Sequence, residues 1–77
     1  MRKHAEDLAR DHELGKDSFD FYEYIIDSLI NGQRQQVRDL FNSLKKYDQR
    51  DFLVNFIDPS IGYHKTALNI CIEELTE

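Results

Sequence analysis

The sequence predicts an all-α protein, a compact bundle of about four helices with an N-terminal arm that can itself be helical. Apolar residues recur at the i, i+3, i+4, i+7 spacing of an amphipathic helix, and Asn31-Gly32 and Pro59 stand where helices should end. A chain of 77 residues is one domain, and a domain of this size is marginally stable without further support. We expect a charged arm over residues 1–16 and a single helical domain over residues 17–77, with helices at residues 18–31, 33–46, 49–57 and 64–76.

The N-terminal arm, residues 1–16, carries many charges and a thin apolar stripe formed by Met1, Ala5 and Leu8. An isolated helix of this length is marginal in water. We therefore expect the arm to be a helix if it docks on the domain and to fray otherwise.

The central segment, residues 18–31, is apolar around more than half of its circumference, while Asp20, Glu23 and Asp27 fall in one narrow stripe. An ordinary surface helix has a narrower apolar face. This helix must therefore be covered on several sides, either as the centre of a bundle or as one half of an oligomer interface. Asp17 is a favourable N-cap, and Gly32 can take the left-handed conformation that often ends a helix.

Residues 33–46 show the cleanest amphipathic pattern, with Val37, Leu40 and Phe41 on one stripe. The connection through Asn31-Gly32 is so short that this helix should pack antiparallel to the central one, as an αα-hairpin.

Residues 49–57 predict a short helix, although a buried strand would contain a similar apolar run. Asp48 to Asp51 resembles a capping arrangement before it, and Pro59 ends it. Residues 64–76 repeat the amphipathic spacing through Leu68, Cys71 and Leu75. The residues expected in the core share these stripes and are Phe21, Tyr22, Ile25, Ile26, Leu29, Val37, Leu40, Phe41, Leu44, Leu53, Phe56, Leu68, Cys71, Ile72 and Leu75.

The charge is −5 overall but uneven, because residues 33–50 hold five basic and two acidic side chains. An acidic balance argues against a dedicated nucleic-acid binder, which usually has a dominant basic footprint. The single cysteine excludes an internal disulfide and fits a reducing compartment. No stretch has the length of an apolar membrane span and no signal peptide is visible, so we expect a cytoplasmic protein with no membrane partner.

Catalytic and metal chemistry find little support. His4, Asp7 and Asp11 could share a helix face, but a charged arm offers no second shell to hold them as metal ligands. Cys71 lies on an apolar stripe and is interpreted as a small buried hydrophobe. The three glycines are isolated and form no phosphate-binding loop. We expect no enzyme, no catalytic residue, no metal and no cofactor.

Two surfaces are candidates for binding. Phe19, Tyr24 and Ile30 lie at different edges of the central apolar arc, and at least one should remain uncovered by so few neighbours. Phenylalanine and tyrosine are favoured in interface cores, so these residues predict a homodimer. The alternative is a monomer whose N-terminal arm folds back and covers that patch with Ala5 and Leu8.

The alternative is a small DNA-binding regulator that uses helix 33–46. Arg34, Arg38 and Lys45 lie on one side of that helix, and arginine and glutamine side chains can read base edges in a major groove. The same residues could instead be a polar face that complements the acidic edge of the central helix.

The segment Tyr24 to Phe41, with its Ile-Asn-Gly-Gln-Arg core, and the segment Asp51 to Ile57 resemble a group of short uncharacterised proteins of Bacteroides-type gut bacteria and their phages or mobile elements. The resemblance covers residues 19–57 and implies no activity or site residue. It implies a small accessory protein. Together with the uncovered apolar arc and the lack of catalytic motifs, the predicted function is a non-enzymatic protein-interaction module that self-associates.

Overall fold

The computed structural model describes residues Met1–Thr76, which form five α-helices and one π-helical segment. The α-helices are α1 (Ala5–Asp11), α2 (Ser18–Ile30), α3 (Arg34–Asn42), α4 (Lys46–Asp51) and α5 (Gly62–Thr76), and α4 runs directly into the π-helix Phe52–Phe56. The all-α class is confirmed, with five helices where the sequence predicts about four. Among the described residues, every helix is too short or too polar to span a lipid bilayer.

Helix α2 begins and ends at the predicted signals. The Asp20 carboxylate accepts hydrogen bonds from the backbone N–H groups of Lys16 and Asp17, each at 3.1 Å. Gly15 lies so close to that carboxylate that a Cβ atom would overlap it, and its φ of 145° also favours glycine. At the other end Gly32 adopts a φ of 78°, the left-handed conformation predicted for this position.

The N-terminal arm docks as helix α1. Ala5 and Ala9 are fully buried and Leu8 is 8 % exposed, and α1 packs on α2. Two alanines allow the helices to approach closely. Ahead of α1, Lys3 N–H donates to Ser43 O at 2.8 Å and Lys3 O accepts from Lys45 N–H at 2.9 Å. The arm therefore takes the docked, helical form of the two that the sequence leaves open.

The core lies around α2, which contacts α1, α3, α5 and the π-helix. Most of the predicted core is confirmed as buried, and Leu53, Phe56 and Leu68 are partly buried against it. An aromatic cluster joins the elements, since the Phe52 ring centroid lies 5.2 Å from that of Tyr22 and 6.2 Å from that of Phe41. The predicted residues that are buried are Phe21, Tyr22, Ile25, Ile26, Leu29, Val37, Leu40, Phe41, Leu44 and Cys71.

The predicted helix 33–46 is too long, because α3 ends at Asn42. The Ser43 hydroxyl donates to Asp39 O at 2.8 Å, and the backbone of Lys45 is extended (φ −64°, ψ 156°). This extended stretch is the one that hydrogen-bonds Lys3. The backbone contact with the arm therefore lies directly after the end of α3. Helix α4 then begins at Lys46.

The predicted helix 49–57 is also wrong in its start and its geometry. It begins at Lys46 and changes from α to π at Phe52. Asp48, expected in a capping arrangement for its own helix, instead accepts a hydrogen bond from Ala5 N–H at 3.2 Å. Its carboxylate therefore satisfies an N-terminal N–H of α1, a helix remote in the sequence.

The predicted inward face of the last helix is wrong by one position. Ile72 and Leu75 are 44 % and 55 % exposed, whereas Ala67, Ile70 and Cys71 are buried. The small side chains of Ala67 and Cys71 on that face let α5 approach α2 and α3. Glu74 then lies toward α3, where Asn42 Nδ2 donates to its Oε1 at 2.7 Å and Arg38 Nε lies 3.9 Å from its Oε2.

Cys71 is fully buried, as predicted, and should be chemically inert in the folded chain. Burial raises the pKa of its thiol from 9.0 to about 12, and the nearby Glu74 carboxylate adds to the effect. Because the thiolate is the nucleophile, we expect Ellman's reagent at about pH 8 to react far more slowly with native protein than with protein unfolded in guanidinium.

The raised pKa of Cys71 also makes the stability of the fold depend on pH. The thiol ionises first in the unfolded chain, so its contribution to stability is complete below pH 9.0 and is lost as the pH rises through about 12.

In the labelling experiment with Ellman's reagent, equal rates for native and unfolded protein would place Cys71 at the surface and contradict the packing of α5.

Candidate protein-binding surface

The buried side of α4 is polar. Asp48 and Gln49 are only 4 % and 3 % exposed. Besides its bond from Ala5 N–H, the Asp48 carboxylate lies 2.8 Å from His4 Nδ1, and Gln49 Nε2 donates to Phe41 O at 2.9 Å. In the described part of the chain, every buried side-chain nitrogen and oxygen has a hydrogen-bond partner. Helix α4 is thus attached to the start of α1 and the end of α3 by polar groups.

The outward side of α4 and the π-helix exposes two large, mainly apolar side chains among the polar Lys46, Arg50 and Asn55. Tyr47 is 74 % exposed and Val54 is 66 % exposed. Both line a shallow cavity of about 210 Å³, together with Arg50, Asp51 and Asn55. Two buried polar side chains together with an exposed tyrosine and valine depart from the usual distribution of polarity. Such local departures from the ordinary pattern are expected at functional sites.

A second cavity of about 420 Å³ adjoins the first, because Arg50 lines both. We call it the cationic groove. Three basic side chains, Arg2, Lys46 and Arg50, line it together with the aliphatic side chains of Leu53 and Leu75. We call the basic and apolar residues that line the two cavities the Arg50 surface: Arg2, Lys46, Tyr47, Arg50, Leu53, Val54 and Leu75. The other lining residues are Asn42, Gln49, Asp51, Asn55 and Glu74.

Among the described residues, the cationic groove is lined by more positive than negative side chains. Within residues 1–76, the side chains of Arg2, Lys46 and Arg50 make no ion pair and no hydrogen bond. Among residues 1–76, the carboxylate that lines the groove is that of Glu74, which accepts a hydrogen bond from Asn42 and lies near Arg38. The groove therefore suits a ligand that brings both negative charge and apolar surface.

The π-helical segment lies directly beneath this surface. Phe52 and Phe56 stack with ring centroids 5.7 Å apart and an interplanar angle of 18°, and both pack inward. Val54 and Asn55 between them are exposed. Short π-helical turns are rare and occur frequently at functional sites. This turn presents Val54 outward while it keeps both phenylalanines in the aromatic cluster.

No protein-family model, curated protein or solved structure matches the chain. Its function is therefore inferred from its own surface chemistry.

Two of the three candidate interface residues, expected at different edges of α2 with at least one uncovered, are about half exposed. Phe19 and Ile30 are 46 % and 50 % exposed, and at 100° per residue they lie about 20° apart, on the same side of α2. Tyr24 is partly buried: its hydroxyl accepts a hydrogen bond from Gln36 Nε2 at 3.1 Å, and its ring lies 5.7 Å from His12. Thus His12, directly after α1, covers part of the edge that holds Tyr24. Phe19 and Ile30 stay about half exposed, and the Phe19 ring packs edge-on against Phe56 with centroids 5.1 Å apart.

The residues considered for DNA recognition are also separated. Arg34 is exposed on α3, and Arg38 is partly buried toward Glu74 of α5 rather than the acidic edge of α2. Lys45 lies outside α3, at the N-cap of α4. The three side chains therefore do not share one face of a single helix.

The charged residues of the arm pair with one another. Lys3 Nζ donates to Asp11 Oδ2 at 2.7 Å and holds the pKa of Asp11 below its usual value, while Arg10 pairs with Asp7. Among residues 1–76, no three histidine, cysteine or acidic side chains are grouped so as to hold a metal ion. The arm contributes solvated ion pairs and, through Arg2, part of the cationic groove.

Sequence reasoning missed the Arg50 surface. Leu53 and Leu75 fit apolar stripes and were expected inside, and Tyr47 and Val54 have no periodic signal. Lys46 and Arg50 contributed only to a count of basic residues. The available signal was the local excess of positive charge in residues 33–50. Arg2, which lines the groove with Lys46 and Arg50, lies far from that segment in the sequence.

Proposed function

We propose that this chain is a small, non-enzymatic protein-interaction module that self-associates, and that the Arg50 surface is its docking site. The observation that carries the proposal is the exposure of Tyr47 on α4 and Val54 on the π-helix, next to the buried polar side chains of Asp48 and Gln49. Tyrosine and arginine are the residue types enriched where interfaces bind most strongly. The resemblance in sequence supports an accessory role of the kind found in phages or mobile elements.

A protein partner fits this surface better than a small molecule. Small-molecule sites are usually concave and enclose most of the ligand. Tyr47 and Val54 are largely exposed beside shallow cavities, so a flat or convex partner can pack on both. Self-association would also stabilise a domain of this size, because binding to the folded state shifts the unfolding equilibrium. Two-fold dimers are the commonest closed assemblies, and we propose a homodimer.

Light scattering coupled to size exclusion tests the proposal. From micromolar to near-millimolar concentration, the mass should rise from 9.2 kDa toward twice that value. Substitution of Tyr47→Ala with Val54→Ser should raise the dimer dissociation constant at least about tenfold, the effect of 1.4 kcal/mol.

Tyr63→Ala is the matched control, because Tyr63 is also exposed, at 55 %, but lines neither cavity. It should leave the mass unchanged. A constant mass of 9.2 kDa over the whole concentration range would contradict self-association. We do not propose DNA binding, because Arg38 is engaged by Glu74 and Lys45 lies off the helix.

A further inference from the structure

We infer that the cationic groove of one copy binds the outer face of α2 of a second copy. This inference rests on the self-association proposed above. The α2 outer face consists of Phe19, Glu23, Asp27 and Ile30, which are the exposed residues along one side of that helix.

The α2 outer face has an apolar residue at each end and carboxylates between them. Phe19 and Ile30 are separated by eleven positions, roughly 16 Å along the helix at 1.5 Å per residue. Glu23 and Asp27 lie between them, about one turn apart. Within the described residues neither carboxylate makes an ion pair or a side-chain hydrogen bond. The face therefore offers negative charge flanked by apolar surface.

The cationic groove offers the complementary pattern. Arg2, Lys46 and Arg50 supply the positive charge, and Leu53 and Leu75 supply the apolar surface. Carboxylates that meet arginine and lysine at a protein interface steer association and select the partner. Phenylalanine and isoleucine against two leucines remove apolar area from water on both sides.

The two surfaces cannot satisfy each other within one copy as it is folded. No residue of the α2 outer face lines either cavity of the Arg50 surface. Each copy can therefore present its α2 outer face and receive its partner's at the same time. In a two-fold dimer this contact forms twice, which is how an isologous interface is built. A second copy of the chain is thus the proposed occupant of the groove, because its α2 outer face carries negative charge that matches the positive charge of the groove.

Charge reversal tests this pairing more directly than added salt, because salt also screens the repulsion between two copies of net charge −5. One variant carries Glu23→Lys and Asp27→Lys, and the other carries Lys46→Glu and Arg50→Glu. Each alone places like charges opposite each other. We expect each to remain at 9.2 kDa at concentrations where the natural chain reaches twice that mass.

An equimolar mixture of the two variants restores opposite charges at both contacts of a two-fold dimer. We expect the mixture to recover a mass of twice 9.2 kDa, and a single chain with all four substitutions to recover it alone.

The controls are Lys65→Glu and Glu73→Lys, which reverse exposed charges outside both surfaces and should leave the dimer intact. Circular dichroism melts identify any variant that fails to fold. The neutral pairs Glu23→Gln with Asp27→Asn and Lys46→Gln with Arg50→Gln then replace it, each with at least about tenfold weaker association.

The outcomes separate the inference from the proposed function. If the natural chain stays at 9.2 kDa, self-association itself is overturned. If the natural chain dimerises and either reversal variant dimerises equally well, self-association stands but uses other surfaces, and the inference is overturned. It is overturned as well if both folded variants are monomeric and their mixture remains so, since the two faces then do not meet.

Discussion

Replacement of Ile25 by alanine is expected to lower the free energy of unfolding by about 2–5 kcal/mol, the range for removal of a large aliphatic side chain from a core. Ile25 is fully buried on α2, the helix that contacts α1, α3, α5 and the π-helix. A cavity at this position would be lined by several elements that cannot all collapse into it. For a domain of this size, each 1 kcal/mol corresponds to roughly 4–8 °C in Tm, so thermal melts at fixed low concentration measure the effect.

Ile30→Ala provides the matched control on the same helix. Ile30 is 50 % exposed, so its truncation removes little buried area and should cost less than about 1 kcal/mol in the monomer. Equal melting temperatures for the natural chain and the Ile25→Ala variant would refute the central placement of α2. Equal losses for the two isoleucine variants would refute the orientation of α2 that exposes Ile30.

Replacement of Asp48 by alanine is the second change with a large expected effect, about 2–4 kcal/mol. The Asp48 carboxylate is almost fully buried, accepts a hydrogen bond from Ala5 N–H at 3.2 Å and lies 2.8 Å from His4 Nδ1. A hydrogen bond to a charged group contributes about 1.5–3 kcal/mol, and the variant would also leave the Ala5 N–H without its partner. Urea unfolding measures the loss.

Hydrogen exchange shows whether the loss is located at α1. We expect the amide protons of Ala5 to Ala9 to exchange faster in Asp48→Ala, because the start of α1 is no longer held to α4. Asp39→Ala is the control: Asp39 is exposed, its carboxylate accepts one surface bond from Gln35 at 3.0 Å, and its loss should cost about 0.5 kcal/mol or less. If the Asp48→Ala variant has the same free energy of unfolding as the natural chain and the same amide exchange rates in α1, then α4 does not hold α1.

Local signals were enough to place α2. Asp17 and Asp20 mark its start and Gly32 its end, and each of these acts through backbone groups within a few positions. The buried stripe of Val37, Leu40 and Phe41 on α3 was equally visible, because one face of a helix repeats in the sequence itself. These features depend on neighbours along the chain, so the order of residues contains the information.

The rotation of α5 could not be read in this way. Residues 64–76 contain two overlapping apolar stripes, one through Leu68, Ile72 and Leu75 and one through Ala67 and Ile70. Both have helical spacing. The smaller stripe faces the core because α2 and α3 lie close and because Glu74 meets Asn42 and Arg38 on α3. Shape and polar partners on other helices decided between patterns that hydrophobicity alone leaves equivalent.

The amino-acid sequence by itself determined the all-α class, the limits of α2 and most of the buried residues of α2 and α3. Tertiary structure alone decided that the arm is part of the core, that Asp48 and Gln49 face inward, and that Arg2 joins Lys46 and Arg50 in one groove. The physical reason is the backbone pairing of Lys3 with Ser43 and Lys45, which brings remote segments together through main-chain groups that every residue carries. Such a contact leaves no pattern in side-chain type, and through it Arg2, the residue before Lys3, comes to line the groove with Lys46 and Arg50.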